Sequence, residues 1–97
     1  MVIYEVKVNV DEDVYNEYLL WLHEHAQLML TNPGFKEAKI CEDDSGSITV
    51  YYYVDTHEDL EHYFRTRAQK MRDAANGQFA GKFTATRNTH HVVKCLP

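Results

Sequence analysis

Two hydrophobic periods alternate along the chain, and their order is the feature that most constrains the fold. Apolar residues fill every second position over residues 2–10, which predicts a strand with one apolar face. Between Val14 and Met29 they recur at three- and four-residue steps, as in a helix that lies on a sheet. Two strand patterns, a second helical stripe and a final strand pattern follow. The predicted order is strand, helix, strand, strand, helix, strand.

Capping and turn residues mark the boundaries of these elements. Asp11 is predicted to cap the first helix, and the Asn32-Pro33-Gly34 segment to end it. Thr56, with Asp59 three residues later, predicts the start of the second helix, and Asn76-Gly77 predicts its end. The remaining strands are predicted over residues 35–42, 48–54 and 82–96, and the first two of them form a hairpin.

This order is typical of an α+β, ferredoxin-like βαββαβ fold, in which two helices cover one face of a four-stranded antiparallel sheet. The first and third strands are then central. A chain of 97 residues is long enough for one hydrophobic core and too short for two, so we expect residues 1–97 to form a single domain.

Composition and charge disfavour several classes of partner. The net charge is −5 and the ten Lys and Arg residues are scattered, so we expect no nucleic-acid partner. No apolar stretch has the roughly 18 residues that a membrane span requires. We therefore expect no membrane partner and a cytoplasmic protein. Cys41 and Cys95 are predicted to lie on opposite edge strands, beyond the reach of a disulfide.

The six histidines do not have the spacing of a metal site. His23 and His25 are two residues apart on a helix and point in different directions, and His90 and His91 are consecutive on a strand and point to opposite faces. No HExxH or CxxC motif occurs. We expect no metal and predict no cofactor.

Five residues are candidates for a ligand site between the helices and the sheet. Tyr4 and Tyr52 rise from the two central strands, Trp21 and His25 lie on the stripe of the first helix, and Arg67 lies beside that of the second. Aromatic walls with a few polar groups are the usual composition of a small-ligand site. The alternatives are a structural histidine bonded to a backbone carbonyl and an arginine that only extends along the rim.

The sequence also resembles a small bacterial family of unknown function within the dimeric α/β-barrel superfamily. The resemblance rests on the run from Ile3 to Val6 with Val8, on Trp21, and on Phe79, Lys82-Phe83 and Arg87 near the last strand. It implies a homodimer in which two sheets pack face to face. It does not imply one activity, because related folds include oxygenases, isomerases and haem degraders.

A homodimer is also expected from the residues themselves. A single βαββαβ layer leaves one sheet face uncovered, and the segment over residues 82–96 is too long to pair only with the first strand. Its tail is predicted to cross onto the partner's sheet. The alternative is a monomer with a solvated face. The dimer-interface candidates are Glu5, Tyr51, Tyr53, Arg87, Val92 and Val93.

The sequence therefore predicts an uncharacterised homodimeric α/β-barrel domain that binds a small apolar or aromatic molecule between helices and sheet. The alternative function is a cofactor-independent monooxygenase or a haem-handling enzyme of the same superfamily. Trp21, His25 and Tyr52 motivate this alternative. Whether the protein is an enzyme stays open at this point.

Overall fold

A computed structural model describes residues 1–97 and shows a four-stranded antiparallel sheet covered on one face by three helices. The fold is ferredoxin-like, as predicted. The sheet order is β2-β3-β1-β4, which places the first and third strands at the centre. In chain order the elements are β1 (Val2–Val10), α1 (Tyr15–Met29), β2 (Phe35–Glu42), β3 (Ile48–Val54), α2 (His57–Thr66), α3 (Ala68–Phe79) and β4 (Phe83–His91).

The register of the central strands brings apolar side chains together on the helix-facing side of the sheet. Tyr4 lies opposite Tyr52, and Val8 lies opposite Ile48. Since side chains alternate between the faces of a strand, every second residue of β1 and β3 enters the core. Seventeen buried hydrophobic residues form one cluster between this face and the helices.

The first helix begins later than predicted. A 3₁₀ turn over Glu12–Val14 precedes α1, and the Asp11 side chain makes no capping hydrogen bond. Tyr18, Leu22, Ala26 and Met29 are the buried residues of α1 and follow the expected three- and four-residue spacing.

The second helical segment is divided, which differs from the single helix predicted. The Thr56 cap is confirmed, because its Oγ1 accepts a hydrogen bond from the Asp59 amide at 3.1 Å. The helix breaks at Arg67, whose φ is −132°. The preceding residue, Thr66, donates a hydrogen bond from its hydroxyl to the His62 carbonyl at 2.7 Å. A threonine bonded in this way frequently bends a helix.

The helix α3 continues through Asn76-Gly77, where the sequence predicts its end. It runs on to Phe79, whose side chain is buried and packs against the ring of Tyr18 at a centroid distance of 5.1 Å. Burial of this large aromatic side chain outweighs the low helix propensity of Asn and Gly, each of which costs less than about 1 kcal/mol.

The last strand is shorter than predicted. β4 ends at His91, and the tail over residues 92–97 has no regular structure, although the Val92 amide still donates to the Met1 carbonyl at 3.1 Å. Cys95 therefore lies in the tail and not on a strand, while Cys41 lies on the edge strand β2 as expected. Both thiols are free and exposed. No helix has the length and hydropathy needed to cross a membrane.

Candidate functional site

A cavity lies between the helices and the helix-facing side of the sheet. Residues of α1, α2, α3, β1, β3 and β4 line it, and fourteen of its seventeen lining residues are hydrophobic. The three others are His25, Arg72 and Arg87. Its volume is about 50 Å³, which is room for a few water molecules. A bound ring would therefore need small movements of the lining side chains.

Four tyrosines form the polar part of this otherwise apolar wall. Tyr4, Tyr18, Tyr52 and Tyr63 are each no more than 3% exposed. The Tyr4 ring centroid lies 6.0 Å from that of Tyr52 and 6.1 Å from that of Tyr63. The four side chains come from β1, α1, β3 and α2, so four separate elements converge on the cavity.

Burial holds the hydroxyls of Tyr18, Tyr52 and Tyr63 in their protonated form. Burial raises the pKa of Tyr18 and of Tyr63 to about 12. Burial raises the pKa of Tyr52 still further, and the neighbouring Tyr63, Tyr4 and Tyr18 add to this effect. At neutral pH these groups are therefore hydrogen-bond donors toward the cavity and not phenolates.

Trp21 and His25 form a stacked pair on one side of the cavity. They are one helical turn apart on α1, and their ring centroids lie 4.6 Å apart with an interplanar angle of 17°. Burial lowers the pKa of His25, which favours the neutral imidazole. A neutral imidazole can accept a proton or a hydrogen bond from a molecule in the cavity. Trp21 itself is only half-buried, less than the sequence predicts.

The arginine expected at the site is not the one that the structure places there. Arg67 does not line the cavity, because it lies at the break between α2 and α3 and donates from Nη1 to Thr31 Oγ1 at 3.3 Å. Arg72, on α3, lines the cavity instead. Its Nε is enclosed by protein atoms and has no hydrogen-bond partner.

Arg87 faces the cavity and not the open side of the sheet, so its predicted position on the open face is wrong. It pairs in register with Val6, whose side chain points toward the helices. The sequence prediction failed here because the register of an edge strand depends on its pairing, and a shift of one residue moves every side chain to the other face.

The open face of the sheet is mainly polar. Glu5 lies at its centre and accepts hydrogen bonds from Asn88 Nδ2 at 3.3 Å and from His90 Nε2 at 3.2 Å. Tyr51 and Tyr53 are half-buried on the same face. A depression of about 300 Å³ there is lined mostly by polar residues and is open to solvent. The aromatic cavity on the other side is less open and is therefore the better ligand site, although its volume is smaller.

Four of the five predicted ligand-site residues thus line one cavity, namely Tyr4, Trp21, His25 and Tyr52. Tyr18, Tyr63 and Arg72 also line the cavity and were not among the ligand-site residues predicted from the sequence. Tyr18 was on the predicted stripe of the first helix, and Tyr63 follows Leu60 by three residues, so helical spacing offered a signal for both. No group of three or more His, Cys, Asp or Glu side chains is placed to hold a metal ion.

Comparison with known protein families identifies the family of this chain. The model of the family described as "Domain of unknown function (DUF4286)" matches residues 1–93. The chain belongs to the DUF4286 family. A comparison of this DUF4286 chain with curated proteins found no significant match.

Solved structures similar to the DUF4286 chain share its fold at low sequence identity. SnoaB, a cofactor-independent oxygenase from Streptomyces nogalater, has a TM-score of 0.78 and 13% identity, over 99% of this chain and 96% of that chain. The haem degrader MhuD from Mycobacterium tuberculosis has a TM-score of 0.76 and 18% identity, over 100% of both chains.

A third similar structure is that of a proposed antibiotic biosynthesis monooxygenase from Deinococcus radiodurans. Its TM-score is 0.76 and its identity is 16%, over 100% of this chain and 97% of that chain. At these identities the likeness shows the fold alone, which is the ferredoxin-like fold predicted from the sequence. Because one fold hosts many activities, it does not establish a reaction.

Proposed function

We propose that residues 1–97 act as one binding domain that takes up a small aromatic or apolar molecule between the helices and the sheet. The observation that carries this proposal is the convergence of four buried tyrosines on one cavity beside the Trp21–His25 stack. Aromatic walls supply apolar contact area, and the protonated hydroxyls supply directional hydrogen bonds. Candidate ligand residues are Tyr4, Trp21, His25 and Tyr52 from the sequence, with Tyr18 and Tyr63 added.

The activities of the structural neighbours supply a second candidate. MhuD degrades haem and SnoaB is an oxygenase that works without a cofactor. The cavity volume of about 50 Å³ disfavours haem, because sites for drug-sized ligands already occupy about 300–1,000 Å³. Haem would require the helices to move away from the sheet.

Fluorescence of Trp21 offers a direct test of binding, since it is the only tryptophan and it lines the cavity. Phenol, cinnamyl alcohol and cinnamate are the probes. Ala75→Leu should abolish binding, because Ala75 lines the cavity and the added methyl groups fill it. The matched control is Ala74→Leu, whose side chain is exposed on the same helix. If no probe changes the fluorescence or releases heat in calorimetry, the binding proposal is wrong.

Haem titration tests the haem-handling form of the second candidate. A shift of the Soret absorbance band that disappears in His25→Ala would favour a haem-handling protein. Absence of any shift, together with saturable binding of the aromatic probes, would favour a small-molecule site.

We also propose that the open sheet face pairs with a second copy of the chain. Glu5 supports this, because its side chain is only 20% exposed and hydrogen-bonded although it lies on an uncovered face. Tyr51 and Tyr53 provide aromatic area beside it, as is common in interfaces. The tail supports pairing as well, since Val92 and Val93 are 39% and 96% exposed.

Sedimentation at micromolar concentration tests the dimer, and a monomer of 11.4 kDa would refute it. Tyr51→Lys should weaken the dimer by placing an unpaired charge in the interface. Leu20→Lys adds the same charge on the helical side, where Leu20 is 73% exposed, and should have no effect. If Leu20→Lys weakens the dimer and Tyr51→Lys does not, the interface lies on the helical side of the molecule. Deletion of residues 92–97 should also weaken the dimer.

A cytoplasmic location is part of the same proposal. Cys41 and Cys95 are both exposed and free, which suits a reducing compartment. Fractionation of cells that produce the protein tests this location, and recovery outside the cytoplasm would contradict it.

A further inference from the structure

The cavity holds two cationic side chains and no anionic one. Arg72 and Arg87 line it, whereas no Asp or Glu does. Neither arginine takes part in any ion pair of the structure. This is unusual in a chain of net charge −5, where acidic partners are more numerous than basic ones. Arg72 is partly buried, and a partly buried cation without a partner is costly, so its presence calls for an explanation; Arg87 is exposed.

The two guanidinium groups reach the cavity from opposite sides. Arg72 projects from α3, the helix that covers the sheet, and its Nε is enclosed without a hydrogen-bond partner. Arg87 projects from the edge strand β4 and keeps more contact with solvent. Both oppose the increase of the Tyr63 pKa that burial and Tyr4 produce, and Arg67 outside the cavity does so as well. Guanidinium and tyrosine donors thus line one space that contains no carboxylate side chain.

We infer that the ligand of this cavity is an anion, and specifically a small aromatic carboxylate whose carboxylate group is held by Arg72 and Arg87. This inference rests on the proposed binding function and adds the charge of the ligand. A carboxylate has the planar shape and the two acceptor oxygens that match the donors of a guanidinium group. Its aromatic body would contact the tyrosines and Trp21. A carboxylate also suits the small cavity better than a phosphate ester, which is larger and has more oxygens to satisfy.

Cinnamate and cinnamamide provide a matched pair of probes, since they have the same shape and differ in charge. We expect cinnamate to bind about tenfold more tightly or better, which is the usual contribution of a hydrogen bond to a charged group. Cinnamyl alcohol is a second neutral control. Calorimetry and the fluorescence of Trp21 measure the affinities.

Arg72→Met and Arg87→Met test the assigned residues, because methionine keeps much of the aliphatic stem and removes the charge. Each variant should reduce the preference for cinnamate over cinnamamide to about twofold or less. Arg65→Met is the control, because Arg65 is exposed on α2 and does not line the cavity. Denaturation of the ligand-free variants is the second measurement. An unchanged or higher midpoint for Arg72→Met supports a binding role, whereas a marked decrease would show that Arg72 is a structural residue.

The possible failures can be told apart. If cinnamate and cinnamamide bind equally and Ala75→Leu still blocks both, the ligand is not recognised by charge and only this inference is overturned. If no aromatic probe binds at all, the proposed binding function fails as well. If cinnamate is preferred but both arginine variants keep the preference, the assignment of Arg72 and Arg87 is wrong.

Discussion

Replacement of Gly34 by alanine tests how the first helix is joined to the sheet. Gly34 has a φ of +82°, and a Cβ atom built on it would lie 2.2 Å from Asp59 Oδ2 and 2.7 Å from Asp59 Cβ. Such distances are far below van der Waals contact, so Asp59 must move. Its amide and carboxylate both bond to the hydroxyl of Thr56 at the start of α2, the helix that carries Tyr63 to the cavity.

The expected magnitude has two parts. A non-glycine residue in the left-handed region costs about 1–2 kcal/mol. Loss of a helix N-cap adds about 0.5–2 kcal/mol. We therefore expect Gly34→Ala to lower the free energy of unfolding by about 1.5–4 kcal/mol, which a domain with an ordinary stability of about 5–15 kcal/mol survives.

Gly46→Ala is the matched control, because Gly46 has a φ of +87° and no atom within 4 Å of the added Cβ. Gly46→Ala should lower the free energy of unfolding only by the cost of the left-handed backbone conformation, about 1–2 kcal/mol. Urea denaturation followed by the fluorescence of Trp21 measures both variants. If the two substitutions destabilise the protein equally, the contact between Gly34 and Asp59 has no energetic importance and the reasoning is refuted.

Three further predictions concern stability. Trp21→Ala should lower the free energy of unfolding by about 1–3 kcal/mol. This is less than the roughly 3–5 kcal/mol for a fully buried aromatic residue, because Trp21 is half-buried. An unchanged denaturation midpoint would contradict its packing against the core. Thr56→Ala should cost about 1 kcal/mol, and no loss in urea denaturation would show that the Asp59 amide needs no cap.

The third prediction concerns pH. Burial lowers the pKa of His25 below 6.5, so the neutral imidazole contributes to the stability of the fold above pH 6.5. This contribution should be lost as the pH falls through the lowered pKa. His25→Gln should flatten the dependence of the midpoint on pH, whereas the exposed His23→Gln should not; equal profiles for both would be inconsistent with a buried imidazole.

Local physical chemistry determined much of this protein from its sequence. The alternation over residues 2–10 predicts that Tyr4 faces the core, without reference to the rest of the sequence, because side-chain direction in a strand has a period of two. The Thr56 cap depends only on residues adjacent in the sequence, and so does the hairpin whose strand β3 carries Tyr52. These features were predicted correctly, and with them the fold and four residues of the cavity.

Tertiary structure decided the remainder of the site. The helix continues through Gly77 because burial of Phe79 outweighs local propensity, and this continuation brings Phe79 against Tyr18 of the cavity. Arg87 faces inward because β4 pairs with β1 in a register that its own sequence does not specify. The charge of the site thus comes from two residues far apart in the chain, whose directions are set by packing and strand pairing and not by local pattern.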